Sequence, residues 1–259
     1  MNTLEESIIH SLDGNDNKEI YPYLSYILQD FWEMGASVKS ILSLIEKHIK
    51  HFPGQIKILD LGCGKGAVSI KAAEKFGALC IGIDGMNDFI IEAKEKAKEH
   101  KVAELCNFEL GDIRESVANY RNFDVVILGA VGPVFGNYYS TFNAISKCCQ
   151  PKGLIILDDG YLSDETKISN PNAVSRKILM EQADSAGLTL IDEIIVDLAE
   201  VRERDEEMDE KIAKRCGELI IKYPEKVRLF EGYLNRQVEE NDVLENHIIC
   251  STMLLGNKK

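Results

Sequence analysis

The sequence lacks an apolar run long enough to cross a membrane. Its longest nearly uninterrupted apolar stretch, residues 125–135, is broken by glycines and a proline, whereas a membrane-spanning helix needs about 20 apolar residues. A secretory signal has a basic segment followed by an apolar one. The first residues, MNTLEES, are acidic and do not show this pattern. We therefore expect a soluble protein without a membrane partner.

Positive charge and paired cysteines are also scarce. The chain has 30 lysines and arginines against 43 acidic residues, a net charge of −13, and a negative field repels the phosphates of nucleic acids. The seven cysteines are odd in number and scattered, so they predict free thiols in a reducing compartment rather than a disulfide framework. Nucleic acid is therefore an unfavoured partner, and a cytoplasmic location is expected.

The 259 residues are 45% apolar, which is enough for one large α/β domain with its own core. Short apolar runs alternate with amphipathic, helix-like segments, a pattern typical of a doubly wound, mostly parallel sheet. The strand-like runs are 56–61, 79–83, 107–110, 123–128, 153–157, 188–196 and 247–255. The helix-like segments between them include 87–100, 137–150 and 171–186.

Two further regions are helical but differ from this core. We divide the chain into an N-terminal helical cap (1–54), an α/β core (55–197), an acidic helical segment (198–245) and a last strand (246–259). The cap holds an aromatic stretch, 21–32, which predicts either a packing face or a lid over a ligand. Residues 192–245 carry 17 acidic and 9 basic side chains, net −8. They predict solvated helices that form a lid or a homodimer interface, with Ile212, Cys216, Ile220 and Ile221 as an apolar seam.

The most informative segment is Ile58–Gly66, where an apolar strand leads into three glycines and then a helix. Glycines permit a tight turn and a close approach of the backbone to a ligand, and the following helix offers unpaired N–H groups. Gly62, Gly64 and Ala67 also satisfy the pattern of dinucleotide-binding turns. The turn alone therefore leaves the ligand open.

Three carboxylates accompany this turn. Asp60 lies inside the first strand, Asp84 ends the second and Asp112 follows the third, at the carboxyl ends of strands where open α/β sheets bind ligands. Asp84 can accept hydrogen bonds from both hydroxyls of a ribose, and its alternative role is a helix N-cap. The alternative for Asp112 is a plain turn residue.

With these motifs the chain resembles the class I S-adenosylmethionine-dependent methyltransferases. The matching residues are DLGCGKG (60–66), GID (82–84) and GD (111–112), in the family's order and spacing. The chain looks closest to the small-molecule branch typified by ubiquinone/menaquinone-biosynthesis methyltransferases. The resemblance implies a seven-stranded Rossmann-like fold with N-terminal helices and a helical insertion before an antiparallel last strand. It also implies methyl transfer from S-adenosylmethionine to a small-molecule acceptor, with S-adenosylhomocysteine as product.

The resemblance further implies which residues hold the cofactor. They are Asp60, Gly62, Cys63, Gly64, Asp84, Gly85, Met86, Gly111, Asp112, Ile113, Leu128 and Gly129. Asp60 and the glycine turn would cradle the methionine part, and Asp84 would hold the ribose. The residues after the second and third strands would flank the adenine, and backbone atoms of Leu128 and Gly129 would meet the amino group.

No residue stands out as catalytic. The cofactor supplies an activated methyl group, so the protein mainly has to hold donor and acceptor together and exclude water. The weak candidates for a base or a substrate contact are Asp158, Asp159 and Tyr138. The Asp158–Asp159 pair resembles part of the magnesium site of catechol-type O-methyltransferases, but Gly129 and Ala130 stand where that site needs an acid. We therefore predict no metal.

The loop after the fourth strand, 128–136, bears on the substrate. It lacks the Asn-Pro-Pro-Tyr type motif of methyltransferases that act on nucleobases or glutamine, and its small apolar residues favour an apolar or compact acceptor. Two alternative functions stay open. One is a non-catalytic, cofactor-binding regulator or scaffold that acts through the acidic segment. The other is an NAD(P)-dependent oxidoreductase, which is disfavoured because no Tyr-x-x-x-Lys or similar hydride-site pair is seen.

Overall fold

The computed structural model describes residues 3–12, 17–49, 54–163, 166 and 173–258. Their strands form a seven-stranded sheet of order 3-2-1-4-5-7-6. The strands are β1 (Lys57–Leu61), β2 (Leu79–Asp84), β3 (Cys106–Leu110), β4 (Phe123–Gly129), β5 (Cys149–Leu162), β6 (Leu188–Ile195) and β7 (Ile248–Asn257). Strands β1 to β5 pair in parallel, whereas β7 is antiparallel to both β5 and β6. The predicted mostly parallel sheet is confirmed.

Helices flank this sheet on both faces and at its carboxyl edge. Those in the described residues are α1 (Leu4–Ser11), α2 (Tyr21–Ile27), α3 (Val38–His48), α4 (Ala67–Phe76), α5 (Asn87–Glu99), α6 (Ile113–Ser116), α7 (Tyr138–Ile145), α8 (Arg176–Ser185), α9 (Leu198–Lys222) and α10 (Val227–His247). Within these ranges no helix is long and apolar enough to span a bilayer.

The central strand β1 shows why the strands are continuous apolar runs in the sequence. Ile58 packs in a core with α3 and α4, whereas its neighbour Leu59 packs in a second core with α7 and α8. Both side chains are fully buried because successive residues of a strand point to opposite faces and helices cover both.

Strand β5 is longer than its apolar run predicts. Its residues 154–162 pair with β7 in unbroken register, so Asp158 and Asp159 lie within the strand rather than at its end. The helix expected over 137–150 ends at Ile145, and Cys149 already belongs to β5. Of the helix expected over 171–186, the described part is α8; Pro53, expected to stop the first helical region, lies outside the described residues.

Helices α9 and α10 pack against α1 and α2 through a third core. This core contains Ile8, Leu24 and Phe230 together with Ile212 and Cys216 of the predicted seam. Ile220 packs partly against it, whereas Ile221 is 84% exposed. The apolar face of this acidic segment is thus largely covered by the chain's own N-terminal helices.

Candidate active site

A cavity of about 230 Å³ lies at the carboxyl ends of the central strands, the edge where open α/β sheets bind ligands. It collects eleven of the twelve residues predicted for the cofactor, which come from the ends of β1, β2 and β4 and from the segments that follow β1, β2 and β3. The exception is Leu128, whose side chain is fully buried in the core of the sheet.

The glycine turn between β1 and α4 is closely packed. Gly62, Gly64 and Gly66 all have positive φ angles, 75°, 52° and 77°, which favour glycine because it lacks a Cβ. A Cβ placed on Gly62 would also lie 2.5 Å from Cγ2 of Val131. The backbone of the turn therefore packs against the loop after β4 at the cavity.

Asp84 connects this turn to the start of α5. Its Oδ2 accepts a hydrogen bond from the Gly64 N–H (2.9 Å), and its Oδ1 accepts one from the Met86 N–H (2.8 Å). Burial raises the pKa of Asp84, and these hydrogen bonds oppose that effect. Met86 rather than Asp84 occupies the N-cap position of α5. A carboxylate has about four lone-pair sites, so Asp84 can still accept a hydrogen bond from a ligand.

Asp60 is a buried carboxylate at the same wall. It is 3% exposed, and its Oδ2 accepts a hydrogen bond from the Ser69 hydroxyl at 2.7 Å. Burial raises the pKa of Asp60 to about 6, although the Ser69 hydrogen bond acts in the opposite direction. The cavity thus holds a carboxylate whose negative charge is costly until a cation comes near.

Asp112 caps the short helix α6. It accepts hydrogen bonds from the Arg114 N–H (2.9 Å) and from the guanidinium of Arg114 (2.6 Å at Nη2). The guanidinium lowers the pKa of Asp112. The residue therefore has a clear structural role in addition to lining the cavity.

The segment that follows the N-terminal helix α2 is attached to the glycine turn and covers one side of the cavity. Lys65 is 1% exposed, and its Nζ donates to the Leu28 carbonyl (2.9 Å) and pairs with Glu92 (2.8 Å). Trp32 donates from Nε1 to the Lys65 carbonyl at 3.1 Å. The end of α2 and the segment after it are thereby fastened to the glycine turn.

Comparison with known proteins agrees with this geometry. A protein family described as "Methyltransferase domain" matches residues 54–252. The chain belongs to this family. A curated relative from Priestia megaterium, named malonyl-acyl-carrier protein O-methyltransferase, is 30% identical over 106 residues, which are 40% of this chain and 37% of the relative. The chain spans less than half the length of the curated relatives it matches.

Solved structures show the same fold for this methyltransferase-family chain. An S-adenosylmethionine-dependent methyltransferase from Geobacter sulfurreducens, in complex with S-adenosyl-L-homocysteine, has a TM-score of 0.76 at 15% identity and covers 92% of this chain and 98% of its own. The [4+2]-cyclase SpnF has a TM-score of 0.70 at 14% identity and covers 99% of this chain and 97% of its own. Nothing in these matches favours the oxidoreductase alternative.

None of the three weak catalytic candidates is among the residues that line the cavity. Asp158 accepts hydrogen bonds from the Ser37 N–H (3.2 Å) and the Thr252 hydroxyl, and Asp159 accepts one from the Tyr138 hydroxyl (2.7 Å). Burial raises the pKa of Asp159 to about 6 and raises the pKa of Tyr138 as well. In the described ranges no cluster of three or more His, Cys, Asp or Glu side chains is placed to hold a metal.

Several cavity residues are not among those predicted from the sequence. They include Ile8 of α1, Met34 in the segment after α2, Met208 of α9, Gln237 of α10 and Lys65 of the glycine turn. Only Lys65 gave a signal, because it stands between two glycines of the ligand-binding turn. The others reach the cavity through tertiary packing, which no local motif records.

Proposed function

We propose that this chain transfers a methyl group from S-adenosylmethionine to a small-molecule acceptor. The observation that carries the proposal is the convergence of eleven predicted cofactor residues, spread over 70 positions of sequence, on one cavity. The cofactor brings a sulfonium-bound methyl group that is already activated for in-line attack. The family match agrees with this reaction class.

The residues present fit such a cofactor. The buried carboxylate of Asp60 suits a cationic group on the methionine part, and the remaining acceptor capacity of Asp84 suits a ribose hydroxyl. Met86 and Ile113 supply apolar side chains for the adenine. The glycine turn allows the backbone to approach the ligand closely.

This chain would then contribute to the reaction by positioning and by exclusion of water. The side chains of Leu4, Ile8 and Met34 cover the cavity. We assign no proton transfer to Asp158, Asp159 or Tyr138, because none of them lines the cavity and each is hydrogen-bonded to another protein group.

Two finer proposals concern partners and location. Residues 198–245 could form a homodimer interface, since Ile221 on α9 and Val238 on α10 are 84% and 62% exposed. The net charge of −13 supports a small molecule rather than nucleic acid as substrate. Seven scattered free cysteines support a reducing, cytoplasmic location.

Calorimetry with S-adenosylhomocysteine and with NAD(H) tests the cofactor assignment. We expect micromolar binding of S-adenosylhomocysteine only, and at least a tenfold loss in Asp84→Ala, because the ribose hydroxyls lose their acceptor. Asp124→Ala is the control: Asp124 accepts a hydrogen bond from the Lys57 N–H at the start of β1, at the opposite edge of the sheet. Equal loss in both variants would overturn the ribose role.

Turnover must be tested separately, because a shared fold does not fix a reaction. Transfer of a labelled methyl group into a broad mixture of metabolites would support the enzyme. Cofactor binding without any transfer would favour the regulator or scaffold alternative.

A further inference from the structure

Gln237 is a polar side chain that lines the cavity from α10. It is 7% exposed. Its Nε2 is buried and has no hydrogen-bond partner in the described part of the chain. Since buried polar groups in native proteins are nearly always hydrogen-bonded, an amide in this state points to a partner that enters from the cavity.

The other polar side chains at the cavity differ in this respect. Asp60, Asp84 and Asp112 accept hydrogen bonds from Ser69, from backbone N–H groups and from Arg114. Among the described residues that line the cavity, Gln237 alone has a buried side-chain nitrogen or oxygen without a partner.

Its position separates Gln237 from the proposed cofactor site. All residues assigned to the cofactor lie between β1 and the end of β4, whereas Gln237 and its cavity neighbour Met208 come from α10 and α9. The Tyr233 hydroxyl, one turn before Gln237, donates to the Leu12 carbonyl at 3.0 Å. This contact holds α10 against the end of α1, so that the two helices form one wall.

The charges at the cavity limit what can bind there. Its two cationic side chains are already paired, Lys65 with Glu92 and Arg114 with Asp112. An anionic acceptor would therefore meet carboxylates without a compensating cation, at a high desolvation cost. Met208 and Leu12, which line the cavity together with Gln237, are apolar.

We propose that Gln237 recognises the methyl acceptor, and that this acceptor is a largely apolar, uncharged molecule that presents a hydroxyl or carbonyl oxygen to the amide. The inference rests on the proposed function and names the substrate class for the same cavity. Gln237 acts as a specificity residue: it orients the acceptor and takes no part in bond formation.

The test uses the 259-residue chain saturated with S-adenosylhomocysteine and four probes built on one benzene ring: benzyl alcohol, toluene, benzoate and benzylamine. Competition saturation-transfer NMR gives their relative affinities. We expect benzyl alcohol to bind at least roughly fivefold more tightly than toluene, since a satisfied buried amide favours the hydroxyl, and Gln237→Leu to abolish that preference. The same substitution should raise the melting temperature of the ligand-free chain by about 2–4 °C, because it removes an unsatisfied buried group.

Asn241→Leu is the matched control. Asn241 lies one turn further along α10, and its Nδ2 donates to Asp209 at 3.0 Å, so its loss should lower the melting temperature and leave the probe preference unchanged. The inference is overturned by equal binding of benzyl alcohol and toluene, by preference for benzoate or benzylamine, by binding of none of the probes, or by destabilisation in Gln237→Leu. Failure of S-adenosylhomocysteine to bind the unaltered chain would instead overturn the proposed function.

Discussion

Asp60 and Asp159 are two carboxyl groups whose pKa values burial raises to about 6, but only Asp60 lines the cavity. The pKa of such a carboxyl group is above its ordinary value of 3.8 in the folded chain. Between pH 4 and 6 the folded chain therefore keeps a proton on this group, whereas the unfolded chain has lost it. The free energy of unfolding therefore falls as the pH rises through this window. For Asp60 the loss amounts to roughly 3 kcal/mol above pH 6.

Asp60→Asn should therefore stabilise the ligand-free chain at pH 7.5 and weaken the binding of S-adenosylhomocysteine, because the amide keeps the Ser69 hydrogen bond but has no charge. Denaturation curves between pH 4 and 8 should show that the gain in the free energy of unfolding increases from pH 4 to 6 and stays constant above pH 6. Asp159→Asn is the control, with a similar pH pattern and unchanged cofactor affinity. Unaltered affinity in Asp60→Asn would contradict the cofactor role of this carboxylate.

At the scale of the element, α1 seals the cavity over Gly85. A Cβ on Gly85 would lie 2.7 Å from Cδ1 of Ile8 and 3.0 Å from Cδ1 of Leu4. Gly85→Ala should push the ends of the Ile8 and Leu4 side chains aside and loosen the packing of α1, because overpacking of this kind costs about 1 kcal/mol. We expect faster amide exchange in α1 and roughly fivefold weaker binding of S-adenosylhomocysteine.

The control for this prediction is Gly217→Ala on α9, where an added Cβ meets nothing within 4 Å and a helical alanine is favoured over glycine. Its cofactor affinity should equal that of the unaltered chain. Unchanged exchange of α1 in Gly85→Ala would show that this helix does not close over the turn.

Lys65 links a second element, the end of α2, to the glycine turn. Lys65→Met leaves the Leu28 carbonyl and Glu92 without their buried partner, so we expect a loss of about 2–4 kcal/mol in the free energy of unfolding. Chemical denaturation measures it. Lys177→Met, which removes an 83% exposed lysine from an i,i+4 pair, should cost under about 0.5 kcal/mol; equal losses would contradict the linking role.

These elements also show what sequence can and cannot predict. The strands β1 to β4 and the carboxylates Asp60, Asp84 and Asp112, in or just after the first three of them, follow from apolar runs and glycine spacing, which are local features. The extension of β5 through Asp158 and Asp159 depends on pairing with β7, almost 100 residues away. The approach of Ile8 to Gly85 and of Gln237 to the cavity likewise depends on how helices from distant parts of the chain pack. Sequence patterns therefore predict the proposed cofactor side of the site better than the acceptor side.

At the scale of the whole molecule, the charge is concentrated on α9, α10 and their flanks. Residues 192–245 carry net −8 of the total −13, yet the inner face of α9 and α10 packs against α1 and α2. Self-association through their outer face would bring two such charged surfaces together. A dimer of this kind therefore requires screening, and it should form more readily as the ionic strength rises.

We accordingly expect sedimentation to show a monomer at about 0.01 M salt and a growing dimer fraction toward about 1 M, where the screening length falls from about 30 Å to about 3 Å. Ile221→Asp should keep the chain monomeric throughout, because it places a charge at the most exposed apolar side chain of α9. Ile91→Asp on α5, 48% exposed in the unaltered chain, is the control and should leave the association unchanged. A monomer at every salt concentration would contradict the interface proposal. The proposed role of α9 and α10 as a wall of the acceptor site would not be affected, because it depends on Met208 and Gln237, which line the cavity.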